Sequence, residues 1–518
     1  MKELIAARTF FPAIERHGSK VAFLDGVYHA TFAEHGDRVL RLCDAMARQL
    51  GLERGDRFAV LAANSHQYLE LYEAGFLGAG IVNPLNLRLA GDELRFILAD
   101  SGTKVVFVDA LFADQLERSI AGSRGELAIE NVVLIGDGDV PHDLRYEDLL
   151  AAAEPLAPSE PEEDDPAVLM YTGGTTGRPK GVLLDQRAEV LNLYHIAMAV
   201  DLHDERIYLH QTPMFHAASM GAMLGIPAIG GTSVFTPLFE PGTVMSLIEE
   251  HQINWTVMVP TMIAMVLDHP EFRPERLASL RDLVYGASPM PVALLERVRS
   301  TFPDLKLGQG YGMTECSSVL TFLDDVDHRR ADGRERSAGR PVFGVEISIQ
   351  DPTGNLIETG VNGEVCARGG NFMVEYWNRP EETAAVFRDG WYRTGDEGHL
   401  DENGYLYLVD RLKDMIVTGG ENVYSIETEN AISTHPAVAQ VAVIGIPHAT
   451  WGEQVHAIVV LHPGDTATEQ EIQEHARATI AGYKVPKSVE FRDEPIPLSG
   501  AMKPLKRELR RPYWPDAT

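Results

Sequence analysis

Cysteine is nearly absent from this chain. The three it has, Cys43, Cys316 and Cys366, are too widely spaced for a paired disulfide framework or a zinc cluster among 518 residues. Basic charge is also short: 45 Lys and Arg stand against 76 Asp and Glu, a net charge of −31. Such a surface repels phosphate backbones and anionic headgroups, which argues against a nucleic-acid partner. Long hydrophobic runs are missing too, and no stretch approaches the roughly 18 apolar residues of a spanning helix. Around the N-terminus, Lys2, Glu3, Arg8, Glu15 and Arg16 interrupt the apolar residues where a signal peptide would need a continuous core. These absences lead us to expect a protein of a reducing, cytoplasmic compartment that acts on small molecules. A homodimer is left open.

What the sequence does have is the alternation of short apolar strands with amphipathic helices that marks parallel sheets flanked by helices. Strands are expected at 57–62, 104–108, 255–259 and 280–285, and helices near 67–77, from 261, and at 292–300. The acidic, proline-containing segment 160–166 reads as a solvated loop joining a first doubly wound α/β unit to a second. From about Gly339 to Asp410 the pattern turns to alternating segments broken by Asp-Pro-Thr-Gly-Asn and Glu-Asn-Gly turns, which indicates a small antiparallel β unit. Beyond Arg411 a separate α+β unit is expected, with strands near 440–444 and 454–460 and a helix over 470–481. The expected division is 1–411 for the larger, N-terminal part and 412–518 for a small C-terminal domain.

The most chemically pointed segment is Tyr171-Thr172-Gly173-Gly174-Thr175-Thr176-Gly177-Arg178-Pro179-Lys180-Gly181, which follows an apolar run. Its glycines and threonines let amides and hydroxyls close on an anion, and Lys180 adds charge, so a triphosphate is the natural guest. No Gly-Lys-Ser/Thr follows at P-loop spacing, and Gly308-Gln309-Gly310-Tyr311-Gly312-Met313 does not complete a dinucleotide fingerprint.

The glycine-threonine segment resembles the signature of the adenylate-forming superfamily, which includes acyl-CoA synthetases, peptide-synthetase adenylation domains and beetle luciferases. Further motifs of that superfamily follow in its order along nearly the whole chain. The resemblance implies a large AMP-binding domain and a mobile C-terminal one. It makes Thr172, Gly173, Gly174, Thr175, Thr176, Gly177 and Lys180 a phosphate cradle, although Gly173 stands where the superfamily usually has serine. Tyr285 to Pro289, with Gly286, Ala287 and Ser288, resembles the wall between adenine and acyl group. Gln309, Gly310, Tyr311 and Gly312 resemble the adenine segment, followed by Thr314 for the α-phosphate and Glu315 for Mg²⁺.

His216, in Pro213-Met214-Phe215-His216, matches the catalytic aromatic residue that borders the acyl pocket. Amino-acid-activating relatives usually have aspartate near there, so His216 implies an acid without an α-amino group. Asp396, in Tyr392-Arg393-Thr394-Gly395-Asp396, is the implied ribose ligand, Arg411 a ribose or phosphate contact and Lys413 the hinge. Gly419, Gly420 and Glu421 resemble the loop along which coenzyme A's pantetheine arm passes. Lys503 resembles the lysine that stabilises adenylation, with Met502 where the superfamily usually has glycine.

The function implied is an ATP-dependent acyl-CoA synthetase using Mg²⁺ and coenzyme A. Rival readings are an acyl-AMP ligase loading a carrier protein and a catalytically silent acyl or nucleotide sensor. Met214, Met220, Met223, Met258 and Met262 suit a hydrophobic acid, and core packing accounts for them equally well.

Overall fold

The computed structural model describes residues 3–172, 179–330, 332–411, 414–418, 421–448, 450–500 and 502–514, with the side chains of 410 and 411 excepted. Two large sheets organise the first two-thirds of the chain. In the first, the parallel strands Ile81–Pro84, Arg57–Leu61, Val105–Asp109 and Asn131–Ile135 lie side by side. Val105, Val106, Phe107 and Val108 are all fully buried, as strands covered by helices on both faces must be. The second sheet is built on the parallel strands Thr232–Phe235, Ile207–His210, Trp255–Met258, Asp282–Gly286 and Lys306–Tyr311.

The linker expectation needs correction. Strand Pro166–Thr172, which follows the acidic loop, does not begin the second sheet. It joins the first beside Ile81–Pro84 and turns back antiparallel as Lys180–Asp185. The second sheet takes its edge instead from the N-terminal hairpin, where Val21–Asp25 runs parallel to Thr232–Phe235 and pairs with Tyr28–Thr31. A strand's period reveals which face is buried but not which distant strand it will pair with, so this exchange between units leaves no local mark.

Local signals do fix the helices. Helix Phe32–Arg48 opens with a reciprocal capping box between Thr31 and Glu34, and helix Gly91–Ser101 stops at Gly102, whose φ of +59° suits glycine. The five methionines considered above are buried in the two main hydrophobic cores, which is the packing reading of them.

The third sheet is antiparallel, as expected. It comprises Glu346–Gln350, Gly363–Arg368, Trp391–Leu400, Phe387–Arg388 and Leu406–Arg411. The C-terminal unit pairs Val438–His448 with Gly452–Leu461, flanked by helices Ser425–Ser433 and Glu469–Arg477. The latter helix ends four residues earlier than its sequence pattern suggested. The chain turns there toward Lys484, which is ion-paired to Glu427 on the neighbouring helix. Among the described residues no helix is long and apolar enough to cross a membrane.

Candidate functional site

The antiparallel strands Pro166–Thr172 and Lys180–Asp185 bracket the glycine-threonine segment, with Thr172 opposite Lys180. Gly173, Gly174, Thr175, Thr176 and Gly177 lie outside the described residues. Lys180 forms an ion pair with Glu382, and its ammonium stands 5.2 Å from the ring centre of Tyr376. Tyr376 comes from the short strand Glu375–Tyr376, which pairs with Lys180–Asp185. Its hydroxyl donates to Glu315 Oε1 at 2.8 Å. A single phenol therefore joins the cation of the loop to the carboxylate expected to face a metal. Neither Tyr376 nor Glu382 stood out in the sequence, because both reach the site only through strand pairing between distant segments.

Glu315 sits in the turn Thr314–Cys316, just beyond strand Lys306–Tyr311. Its backbone carbonyl accepts from Met373 N at 2.8 Å, which fixes the turn from the opposite side. Thr314 is buried, and burial pushes the neighbouring Cys316 thiol up to about 12, leaving it inert. Strands Asp282–Gly286 and Lys306–Tyr311 run in parallel register with Gly286 opposite Gly310. A Cβ on Gly286 would lie 2.3 Å from the Gly310 carbonyl oxygen, so Gly286 tolerates no side chain. Ala287 follows with φ +67°, a left-handed conformation that non-glycine residues hold only under constraint. The Tyr285 hydroxyl lies 3.0 Å from Gln309 Oε1 and 2.8 Å from His328 Nε2, which ties the two strands together at this level.

Tyr311, at the end of its strand, donates to Asp396 Oδ2 at 2.7 Å. Asp396 is buried on strand Trp391–Leu400, where Gly395 turns through φ +72° and Thr394 Oγ1 accepts from the Asp396 amide. Burial first, and then the Asp396 carboxylate, hold the Tyr311 phenol well above its ordinary pKa, so it stays a donor. Asp396 is in register with Arg411 of the next strand. Lys413, Gly419 and Gly420 lie outside the described residues. Glu421 is exposed and opens the strand Glu421–Val423, whose last residue is buried. Three residues on, Tyr424 donates to Glu397 Oε1 at 2.8 Å, so this segment touches the strand that carries Asp396.

His216 and Lys503 are the remaining expected site residues. His216 Nδ1 accepts from the Ala218 amide at 3.2 Å, which leaves the ring proton on Nε2. Burial, reinforced by the charge of Lys503, pushes this imidazole down to about 3. It is therefore neutral at physiological pH, offers an N–H, and has no lone pair left to take a proton. Lys503 rides on a hairpin in which Leu498 pairs with Pro504. Arg88 Nη1 donates to the Leu498 carbonyl at 2.7 Å, and Thr261 Oγ1 to the Met502 carbonyl at 2.6 Å. Lys503, Thr172, Ala287 and Ser288 line one cleft of about 2150 Å³, well beyond the roughly 300–1,000 Å³ of a pocket for one small ligand.

A cleft with room for more than one substrate, lined by Thr172 where the glycine-threonine segment begins and by Lys503 of the C-terminal unit, suits an AMP-forming site. Residues 10–377 match the family model described as AMP-binding enzyme, and residues 427–503 match the AMP-binding enzyme C-terminal domain. The chain belongs to the AMP-binding enzyme family. It is similar to a feruloyl-CoA synthase of Amycolatopsis sp, with 39% identity over 93% of this chain and 94% of that protein. It is also similar to the long-chain-fatty-acid–CoA ligase FadD13 of Mycobacterium tuberculosis, with 37% identity over 93% of each chain. Among solved structures, an o-succinylbenzoate CoA synthetase (MenE) of Bacillus subtilis, in complex with its acyl-adenylate intermediate, superposes with a TM-score of 0.84. It is 29% identical and the match covers 97% of both chains. This family member is an ATP-dependent acid–thiol ligase of the acyl-CoA synthetase class.

Proposed function

We propose that the cleft activates a hydrophobic carboxylic acid, fatty or aromatic, as its acyl-adenylate and then transfers the acyl group to coenzyme A. The observation that carries this reading is the placement of Lys503, on a hairpin of the C-terminal unit, in one cleft with Thr172, Ala287 and Ser288. In the first half-reaction a carboxylate oxygen attacks the α-phosphorus of ATP in line, and the bond to pyrophosphate breaks. Charge grows on the phosphoryl oxygens, where the Lys503 ammonium and the Thr314 hydroxyl stabilise it. His216, neutral with its proton on Nε2, orients the acid by donating a hydrogen bond to its carboxylate. Asp396, held by Tyr311, accepts from the ribose hydroxyls, with Arg411 alongside. Adenine is assigned to the end of strands Asp282–Gly286 and Lys306–Tyr311, against Tyr311 and walled by Ala287 and Ser288.

Among the described residues no group of three or more His, Cys, Asp or Glu side chains forms a closed metal site. Glu315 alone, oriented by Tyr376, fits Mg²⁺, which takes few protein ligands when phosphates and water supply the others. When bound there, Mg²⁺ would neutralise phosphate charge.

The second half-reaction needs Lys503 withdrawn and a channel opened for the thiol. We assign the pivot to Lys413, dividing the chain into 1–411 and 412–518, and the channel to Gly419, Gly420 and Glu421. The thiol loses its proton and its sulfur attacks the acyl carbon, expelling AMP. His216 cannot be the base, because its Nδ1 lone pair is already engaged by Ala218. An aspartate that would pair with an α-ammonium is missing at His216, which favours acids without one. The relatives named for ferulate and for long-chain fatty acids are consistent with this preference. The three cysteines are buried free thiols, as suits a reducing cytoplasm.

The deciding assay offers fatty, aromatic and polycyclic acids with magnesium ATP, following pyrophosphate release and acyl-CoA formation separately. Acid-dependent pyrophosphate release with acyl-CoA as product is the expected result. No release with any acid would refute the reading. Release without acyl-CoA, but with acylation of a carrier protein, would replace coenzyme A as acceptor.

A further inference from the structure

We propose that Met502 is an apolar anchor that holds the Lys503 hairpin in the cleft and so positions the lysine for adenylation. The inference rests on the role given to Lys503 above.

The hairpin is shaped by its own bonds. The Ser499 amide donates to the Lys503 carbonyl at 2.7 Å, the Met502 amide to the Ser499 carbonyl at 2.9 Å, and the Lys503 amide to Ser499 Oγ at 3.1 Å. None of these contacts involves the N-terminal sheets, so the hairpin keeps its form wherever the C-terminal unit sits. Met502 has φ +60°, the left-handed conformation that glycine adopts without strain. The superfamily pattern has glycine there, which serves the backbone but can anchor nothing. A methionine at φ +60° bears the same backbone strain whether the hairpin is docked or withdrawn, so strain cancels between the two positions.

Burial does not cancel. Met502 is 9% exposed and belongs to the apolar core that also holds Val259, Met262 and Ile263, with Ala287 and Met290 packed at its margin. Those residues belong to helix Pro260–Leu267 with its N-cap and to the segment after strand Asp282–Gly286, all in the N-terminal part, so Met502 gains this environment only while docked. Its unbranched thioether suits an irregular gap that must be entered and left repeatedly. Polar contacts flank the anchor: Thr261 Oγ1 bonds the Met502 carbonyl, and Arg88 bonds the Leu498 carbonyl with its other terminal nitrogen 3.9 Å from the Met502 sulfur. The next side chain after this clamp is Lys503. The inserted methionine thus favours the adenylating position over the withdrawn one.

The test compares Met502→Gly, Met502→Leu and Thr261→Val in the full chain. Adenylation is followed by pyrophosphate release, and thioester formation from supplied acyl-AMP. Met502→Gly is expected to slow adenylation about tenfold through the lost burial while leaving thioester formation unchanged or faster. Met502→Leu should restore most of the rate, and Thr261→Val should lose about threefold through one hydrogen bond. Adenylation at the wild-type rate in Met502→Gly, or equal losses in both half-reactions, overturns the anchor.

A second readout needs no turnover: acetic anhydride labelling of Lys503, followed by mass spectrometry, should run about tenfold faster in Met502→Gly. If the wild type released no pyrophosphate with any acid, the enzymatic reading would fall. The anchor would still be judged by labelling, where equal rates in the two proteins refute it.

Discussion

Tyr376 offers the sharpest single-atom test of the site. Tyr376→Phe keeps the ring against which the Lys180 ammonium rests at 5.2 Å and deletes only the hydroxyl that donates to Glu315 Oε1 at 2.8 Å. Hydrogen bonds to charged groups contribute roughly 1.5–3 kcal/mol when buried. Glu315 is only half-buried, so water recovers part of that, and about 1–1.5 kcal/mol is the reasonable loss. That corresponds to about a tenfold fall in the adenylation rate at limiting Mg²⁺. The Tyr376 hydroxyl is also 3.4 Å from that of Tyr392, but this longer contact ends on a neutral group and contributes less. The assay is pyrophosphate release at fixed ATP across a magnesium titration, with thioester formation from supplied acyl-AMP as the control. If Glu315 holds the ion, excess Mg²⁺ rescues the variant toward wild type and the control half-reaction is unaffected. A magnesium profile superimposable on the wild type, or equal damage to both half-reactions, would refute the link from Tyr376 through Glu315 to the metal.

Other perturbations probe the reaction and the fold. Lys503→Ala is expected to lower adenylation by about 10²–10³-fold, the scale for removing one transition-state donor, while sparing thioester formation from acyl-AMP; equal loss in both steps would remove the assignment. Arg206→Met strands Asp282, its partner at 2.6 Å in a buried ion pair, and should cost about 3–5 kcal/mol in denaturant unfolding; a loss below about 1 kcal/mol would contradict it. Burial, assisted by the charge of Asp185 and only partly offset by the nearby Ser317 hydroxyl, pushes the Glu189 carboxyl up to about 8. The native state therefore holds a proton that the unfolded chain releases near its ordinary pKa of about 4.3, and stability falls as pH rises from there through 8. Glu189→Gln should flatten that decline in melting temperature between pH 5 and 8, and an unchanged slope would show that Glu189 does not titrate as described.

Sequence legibility differed sharply among these features. Motifs that lie in a few consecutive residues, such as Gly308 to Glu315 and Tyr392 to Asp396, could be recognised by their resemblance to the adenylate-forming superfamily, because a short segment keeps its whole pattern together. The structure then brings Tyr311 and Asp396 within a hydrogen bond. Tyr376 and Glu382 could not be read, since they reach Lys180 only because an edge strand of two residues pairs with Lys180–Asp185. The same limit hid the return of Pro166–Thr172 to the first sheet and the passage of Val21–Asp25 to the second. Met502 was legible as a departure from pattern but not as a docked side chain, because a left-handed backbone and a distant hydrophobic socket leave no local trace.

One strand carries a further implication. Asp396 accepts from Tyr311 of the second sheet, while its neighbour Glu397 accepts from Tyr424 of the C-terminal unit. Successive carboxylates on a single backbone are thus held by different parts of the molecule, one at the proposed sugar pocket and one by the C-terminal unit. If the C-terminal unit rotates as proposed, the bond from Tyr424 to Glu397 must break one residue away from the carboxylate assigned to the ribose.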